Sequence, residues 1–301
     1  MPVMTDTSTA TPRKNARMGF APVQNRVVVT MRSISNRLNR ILATKYGRTL
    51  NFHLDCEYPK AGGTWFGKMA SEVMQIPYPE HNIFPIGCAC VLHNHWPWRK
   101  GLDHAWYLRR DGRDVMVSFY FHRMRELQAG NPTVVRRFGQ VYDQLFGAGY
   151  DPNDTRRNLG PFIEHEFKNP RDSPRNWRDH LMEWHDGGRG RPDVVYLSYE
   201  ELVADTAGTL TSSIERLTGN RPDDWVVQQV VEKYSMARQT GGRKAGEEDR
   251  GSFIRKGVAG DWVNHFGPTA ARRFNDLAGD ALVAVGYEED RDWVTRYDLQ
   301  D

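Results

Sequence analysis

An α/β fold with a central parallel sheet flanked by helices is what this 301-residue sequence predicts. Short apolar β-branched runs alternate with helical periodicities along the chain, the pattern of a parallel sheet covered on both faces. One of those runs, Leu50 to Cys56, leads through Glu57-Tyr58-Pro59-Lys60-Ala61-Gly62-Gly63 into the helical pattern Thr64 to Gln75. Strand, glycine loop and helix together make an anion cradle. The glycines let backbone N–H groups approach a phosphate, and the new helix points its positive end at it.

The elements follow in order. Residues 1 to about 25 are rich in Thr, Pro, Arg and Asn without a period and predict a polar tail, with a single domain over 26–301. Met31, Ile34, Leu38, Ile41 and Leu42 form one helical stripe with Arg32, Arg37 and Arg40 off it, which predicts a helix packed on the domain through its apolar side. The same helix, extended to Arg48, is basic enough to contact an acidic membrane surface. Ile83 to His95 predicts a strand that runs out into polar residues, and Ala105 to Leu108 a short buried one. Asp114 is placed to cap a helix over Val115 to Leu127. Residues 123–176 carry weak helical pieces and are assigned to a cap over the acceptor site. Val194 to Tyr199 predicts another buried strand. Asp205 and Gly219 bound one helix, Pro222 opens a further one, and a last runs from Thr269 to Val285 before Gly286.

Composition narrows the function. Net charge is +3, with nine Lys or Arg and one acid, Asp6, in residues 1–54. No aromatic residues interleave Arg32, Arg37 and Arg40 along the helix of that stripe, which argues against nucleic acid. Apolar runs fall short of a membrane span, the first residues lack an apolar signal centre, and Cys56, Cys88 and Cys90 are too few for a disulfide framework. A soluble cytoplasmic protein is the expectation.

Three groups of residues could carry chemistry. Gly62 to Lys68 fits an ATPase loop, but Met69 stands where that motif needs a magnesium-binding hydroxyl. Cys88, Cys90, His93 and His95 have zinc-type ligand identities, although residues two apart on any strand share a face, and no metal is assigned. His95, just past a strand end, is a candidate general base. Arg110 and Ser118, with Arg255-Lys256-Gly257, supply more anion contacts than one phosphate needs.

These segments together resemble the cytosolic sulfotransferase family. Tyr58-Pro-Lys-Ala-Gly-Gly-Thr-Trp65 is similar to its loop for the 5′-phosphosulfate, usually Tyr-Pro-Lys-Ser-Gly-Thr-Thr-Trp. His93-Asn-His-Trp-Pro97 resembles its Lys-Thr-His-Leu-Pro element, Arg110 to Ser118 its 3′-phosphate segment, and Trp177 to His180 with Tyr196 to Glu201 its helix and following strand. Arg255-Lys-Gly-Val-Ala-Gly-Asp-Trp262 resembles its closing signature.

The resemblance implies a P-loop-kinase-like sulfotransferase fold and 3′-phosphoadenosine 5′-phosphosulfate as donor, with adenosine 3′,5′-bisphosphate as product. It implies that Lys60 stabilises the leaving phosphate and His95 takes the acceptor's proton. Lys60, Ala61, Gly62, Gly63, Thr64 and Trp65 would cradle the 5′ end, with Trp65 on adenine and Tyr199 at the base. Arg110, Ser118, Arg255, Lys256 and Gly257 would hold the 3′-phosphate. The acceptor would be a hydroxyl or amine of a small molecule. A lipid head group at a membrane surface, or a nucleotide-binding relative without transfer activity, are the alternatives.

Departures from the family pattern are Ala61 for its Ser, Gly63 for its first Thr, His93 for its Lys, and Tyr234 and Met236 for Thr and Phe near adenine. Val263, Gly267-Pro268 and Arg272 replace its C-terminal dimer motif, so that pairing is not expected.

Overall fold

The computed structural model describes residues 22–79 and 87–299, with side chains from residue 27 onward. Most of the expected tail, and residues 83–86 of the 83–95 strand, lie outside the described residues.

The chain runs α1 (Pro22–Tyr46), β1 (Phe52–Glu57), α2 (Gly63–Val73), β2 (Cys90–Asn94), β3 (Ala105–Arg109) and α3 (Gly112–Gln128). A helical run α4 (Pro132–Val134) continues through a π-turn, Val135–Gly139, into α5 (Gln140–Phe146). Then come α6 (Thr155–Lys168), α7 (Trp177–Gly188), β4 (Val194–Ser198), α8 (Tyr199–Ala204), α9 (Thr206–Thr218), α10 (Asp224–Lys233), α11 (Met236–Thr240), α12 (Pro268–Ala284) and α13 (Trp293–Arg296).

The strands form one four-stranded sheet in the order β2-β1-β3-β4, and every pairing is parallel. Strand alternation explains the two cores. Phe52, Leu54 and Cys56 of β1, Leu92 of β2 and Tyr107 of β3 face a core closed by α3, α6, α7 and α12. Val91, Trp106, Leu108, Val195 and Leu197 face the other, closed by Phe66, Met69, Ala70 and Val73 of α2 and by α9 and α10. Residues 53, 55 and 57 of β1 turn to this second side, so Asp55 and Glu57 are buried toward α2 rather than solvated.

Several expectations change. Among the described residues of the strand expected over 83–95, Cys90–Asn94 form the regular strand. The cap of α3 is Asp111, whose side chain accepts from Arg113 N–H; Asp114 lies in the first turn, where its carboxylate accepts from Gly260 N–H (2.7 Å) and Trp262 N–H (2.9 Å). A carboxylate tying two distant backbone donors does more for the fold than a local cap. Asp223, not Pro222, precedes α10, whereas Asp205 and Gly219 bound α9 as expected. Residues 123–176 are largely packed helix: Phe138, Tyr142, Phe146 and Phe162 join Tyr120 in the core, as do Phe119 and Phe121. Helix α1 begins at Pro22, inside the expected tail.

The largest change concerns α1. The helix forms, but Met31, Ile34, Leu38 and Ile41 are exposed, and Ser35, Asn39 and Ala43 form the buried side. Among the stripe residues only Leu42 packs on the core.

Candidate active site

In a parallel α/β sheet, ligands gather beyond the carboxyl ends of the strands. Here β1 is followed by Lys60, β2 by His95, β3 by Arg110 and β4 by Tyr199.

The loop after β1 is turned by a hydrogen bond from Ala61 N–H to Tyr58 O (3.1 Å). Lys60 adopts φ 77°, left-handed for a residue with a Cβ, a strain of about 1–3 kcal/mol that native packing must hold. Gly62 caps α2 with φ 113°, and a Cβ there would lie 2.8 Å from the Tyr199 ring. Only glycine meets both conditions. Ala61 is buried, and Thr64 and Trp65 sit in the first turn of α2. The Lys60 ammonium lies 4.6 Å over the exposed Phe253 ring. Burial and the charge of Arg125 bring it down to about 8. Lys68, the lysine of the ATPase pattern, instead lies 5.9 Å over the Tyr78 ring.

A buried polar group stands behind this loop. His93 Nδ1 is 2.9 Å from Asp55 Oδ2, its Nε2 is 3.5 Å from Glu57 Oε1, and Glu57 Oε2 accepts from Gly63 N–H. Burial alone would lower the His93 pKa, but the Asp55 carboxylate, by charge and hydrogen bond, raises it to about 9 with help from Glu57. His93 is therefore an imidazolium at neutral pH. Burial pushes the Glu57 carboxyl up to about 7 against the His93 charge.

His95 Nδ1 is 3.2 Å from the Glu57 carbonyl oxygen. A carbonyl only accepts, so Nδ1 carries the proton and Nε2 keeps its lone pair. Burial, then the charge of His93, holds this ring neutral, with its pKa down to about 3. Cys90 belongs to the opposite core and Cys88 is exposed, so the zinc-type set does not converge; among the described residues two other groups bring ligand atoms within 4.8 Å of one another, Glu57 with His93 and His95, and Glu248 with Asp261 and His265.

The group also accounts for a departure in the loop. A Cβ at Gly63 would lie 2.7 Å from Glu57 Cδ and 2.8 Å from His93 Cε1. Glycine at 63 and the residues at 57 and 93 thus fit as one set. Restoring the family's threonine, Gly63→Thr, is expected to cost about 1–3 kcal/mol by overpacking, seen as a lowered Tm. A Tm equal to that of the parent would refute the coupling.

The second candidate anion site is brought together in part. Arg110 donates to Lys60 O (3.4 Å) and to Val258 O (3.4 Å), with its guanidinium 4.0 Å from the Tyr199 ring centroid. It therefore joins the first loop to the closing segment. Ser118 lies on α3. Arg255 and Lys256 both reach Asp261, at 2.7 and 2.5 Å, and Arg255 also pairs with Glu248. Burial works to raise the Asp261 carboxyl, but hydrogen bonds from His265, Lys256, Asn264 and Arg255 hold it well below the usual carboxylate range. These two cations are thus organised by a carboxylate.

Trp65 meets Tyr199 edge-on, with ring centroids 6.2 Å apart, and its Nε1 donates to the Tyr234 carbonyl (3.1 Å). A Cβ at Gly257 would lie 2.7 Å from Met236 Sδ. Asp55, Glu57, Arg125 and Phe253 had no signal of their own in the sequence. Only the period-2 spacing of Asp55 and Glu57 with His93 and His95 hinted at facing pairs.

Fold and site together define an α/β protein with a glycine loop and cations gathered at the carboxyl ends of a parallel sheet. A family model described as "Sulfotransferase domain" matches residues 106–286, and the chain belongs to that family: it is a sulfotransferase. Human sulfotransferase 1C2 is 23% identical over 270 residues, covering 74% of this chain and 80% of the human protein. Among solved structures, mouse sulfotransferase SULT7A1 complexed with PAP superposes with a TM-score of 0.53 at 18% identity, covering 82% of this chain and 89% of that one. Retinol dehydratase in complex with androsterone and inactive cofactor PAP gives 0.54 at 16%, with 82% and 85% covered. These likenesses agree on the fold. Among the described residues no helix is long and apolar enough to cross a membrane.

Proposed function

We propose that the enzyme moves a sulfuryl group from 3′-phosphoadenosine 5′-phosphosulfate to a hydroxyl or amine of a small molecule by in-line transfer. The observation that carries this reading is the arrangement of Lys60, His95, Arg110 and Tyr199 at the carboxyl ends of adjacent strands, with Arg110 bonded to the backbone of Lys60. His95 Nε2 takes the acceptor's proton as its oxygen or nitrogen bonds to sulfur. The bond from sulfur to the bridging oxygen breaks, and its electron pair goes to the 5′-phosphate beside Lys60. Phosphoryl transfer is the nearest general template, in which fixed charges and positioning do most of the work. Burial is the larger cause of the low His95 pKa; the anionic sulfuryl group offsets the part that comes from the His93 charge.

In this reading Gly62, Gly63, Thr64 and Trp65 cradle the 5′ end, and Arg110, Ser118, Arg255, Lys256 and Gly257 take the 3′-phosphate. His93 does not simply replace the family's lysine. Both its nitrogens face carboxylates, so it orders Glu57 and the neighbouring His95 ring rather than reaching the sulfuryl group. The bound structures of similar proteins that carry PAP support the donor assignment.

The test is labelled donor with an acceptor panel, read by mass spectrometry for sulfate addition, beside a thermal shift with adenosine 3′,5′-bisphosphate. Binding without transfer to any acceptor would instead identify a nucleotide-binding relative.

A pH dependence follows from the two groups nearest the cradle. Glu57 (about 7) and Lys60 (about 8) both rise in pKa when an anion binds beside them, so binding takes up protons. Affinity for the bisphosphate is expected to fall between pH 7 and 9, by up to about tenfold per unit for each proton taken up. Calorimetry across that range checks it, and a flat profile would sink the idea.

A further inference from the structure

Helix α1 presents its apolar residues to solvent. Val27, Met31, Ile34, Leu38 and Ile41 recur at intervals of three and four and are 54%, 41%, 54%, 41% and 51% exposed. At about 1.5 Å per residue they form a straight seam of about 21 Å on one side of the helix. The buried side is small and polar: Ser35, Asn39 and Ala43. This helix is thus turned inside out relative to an ordinary surface helix.

Its charge says what covers the seam. The helix sequence contains no Asp or Glu, and Arg32, Arg37 and Lys45 are exposed. Pairing two copies of this helix would bring cations together with no acid on either to answer them. A groove on a neutral protein would leave the arginines unused. We propose that α1 docks on an anionic lipid surface, its seam entering the acyl boundary while Arg37 beside the seam and Lys45 at its end meet lipid phosphates. An amphipathic helix in that orientation lies in the membrane plane, and its binding needs both apolar area and charge.

The docked helix is fastened to the site. Asn36 Oδ1 accepts from Trp96 Nε1 at 2.9 Å, and Trp96 follows His95 directly. Docking therefore holds the turn after β2 close to the lipid surface. The docking does not depend on the transfer reaction, and vesicle binding can be measured without donor or acceptor.

The test is co-sedimentation of the full chain with phosphatidylcholine vesicles, with and without phosphatidylglycerol. The protein is expected to pellet with the anionic vesicles only, and less as salt rises. The double variant Ile34→Asp/Leu38→Asp should lose at least tenfold in affinity, as should Arg37→Glu/Lys45→Glu. Ile34→Ser/Leu38→Ser, with a smaller loss, keeps the test open should the aspartates unfold the helix. Circular dichroism and the bisphosphate thermal shift report on folding. No pelleting at low salt overturns the proposal. So does binding that ignores the Ile34/Leu38 variants, since charge alone then explains it. A dimer in solution that the same variants split also overturns it, because a second copy then covers the seam.

Discussion

Lys60→Ala is expected to lower kcat by about two to three orders of magnitude, the loss typical when one fixed charge-stabilising group is removed from where charge develops. The ammonium is the cation carried by the loop itself. Its backbone is held at φ 77° by the turn, and its carbonyl is bonded to Arg110. The leaving 5′-phosphate gains charge as the sulfur–oxygen bond breaks, so the loss should fall mainly on kcat. Weaker donor binding should add a smaller rise in KM. Folding should survive, because alanine tolerates this backbone no worse than lysine. Lys60→Arg should not restore the rate. A planar guanidinium cannot stand in for a compact ammonium on a turn this tight. Steady-state kinetics with an intact bisphosphate thermal shift decides the matter, and a kcat within threefold of the parent would remove Lys60 from the mechanism.

Much of this site was legible because it is built locally. The strand, the loop Tyr58 to Thr64 and the helix after it are contiguous, and the left-handed turn at Gly62 is a local demand of that loop. Arg110 was read from its spacing to Ser118 and Tyr199 from the family resemblance; the parallel sheet brings both to the edge that carries Lys60. What could not be read was contact across the sheet. Asp55 and Glu57 look like ordinary strand carboxylates until β1 pairs with β2, which places Asp55 beside His93, 38 residues away. That pairing charges His93, burdens Glu57 and requires the glycine at 63. The α1 stripe failed for another reason. Periodicity identifies a helix and its apolar side, but not which side the domain touches. Here Ser35, Asn36 and Asn39 make the contact, through small size and one hydrogen bond to Trp96, with little apolar area. Asp114 was misread as a cap because its partners, Gly260 and Trp262, lie nearly 150 residues on.

His95→Ala is expected to reduce transfer by about two to four orders of magnitude, the span of a positioned general base. The acceptor's identity should modulate that loss in a way that only a base explains. The ring is fixed by Nδ1–H to the Glu57 carbonyl, leaving Nε2 to accept the proton. An acceptor whose hydroxyl is already ionised brings no proton, so it gains nothing from the histidine. Along a series of phenols of falling pKa, the parent and His95→Ala rates should therefore converge. A structural role for His95 would depress all acceptors equally. Added imidazole should restore part of the activity toward the least acidic phenols. The bisphosphate thermal shift should match that of the parent, because the donor's phosphates lie with Lys60 and Arg110. Full activity in His95→Ala, or an equal deficit across the series, would move the base elsewhere in the cluster. Glu57 would then be the next residue to test, since burial already keeps its carboxyl near neutrality, at about 7.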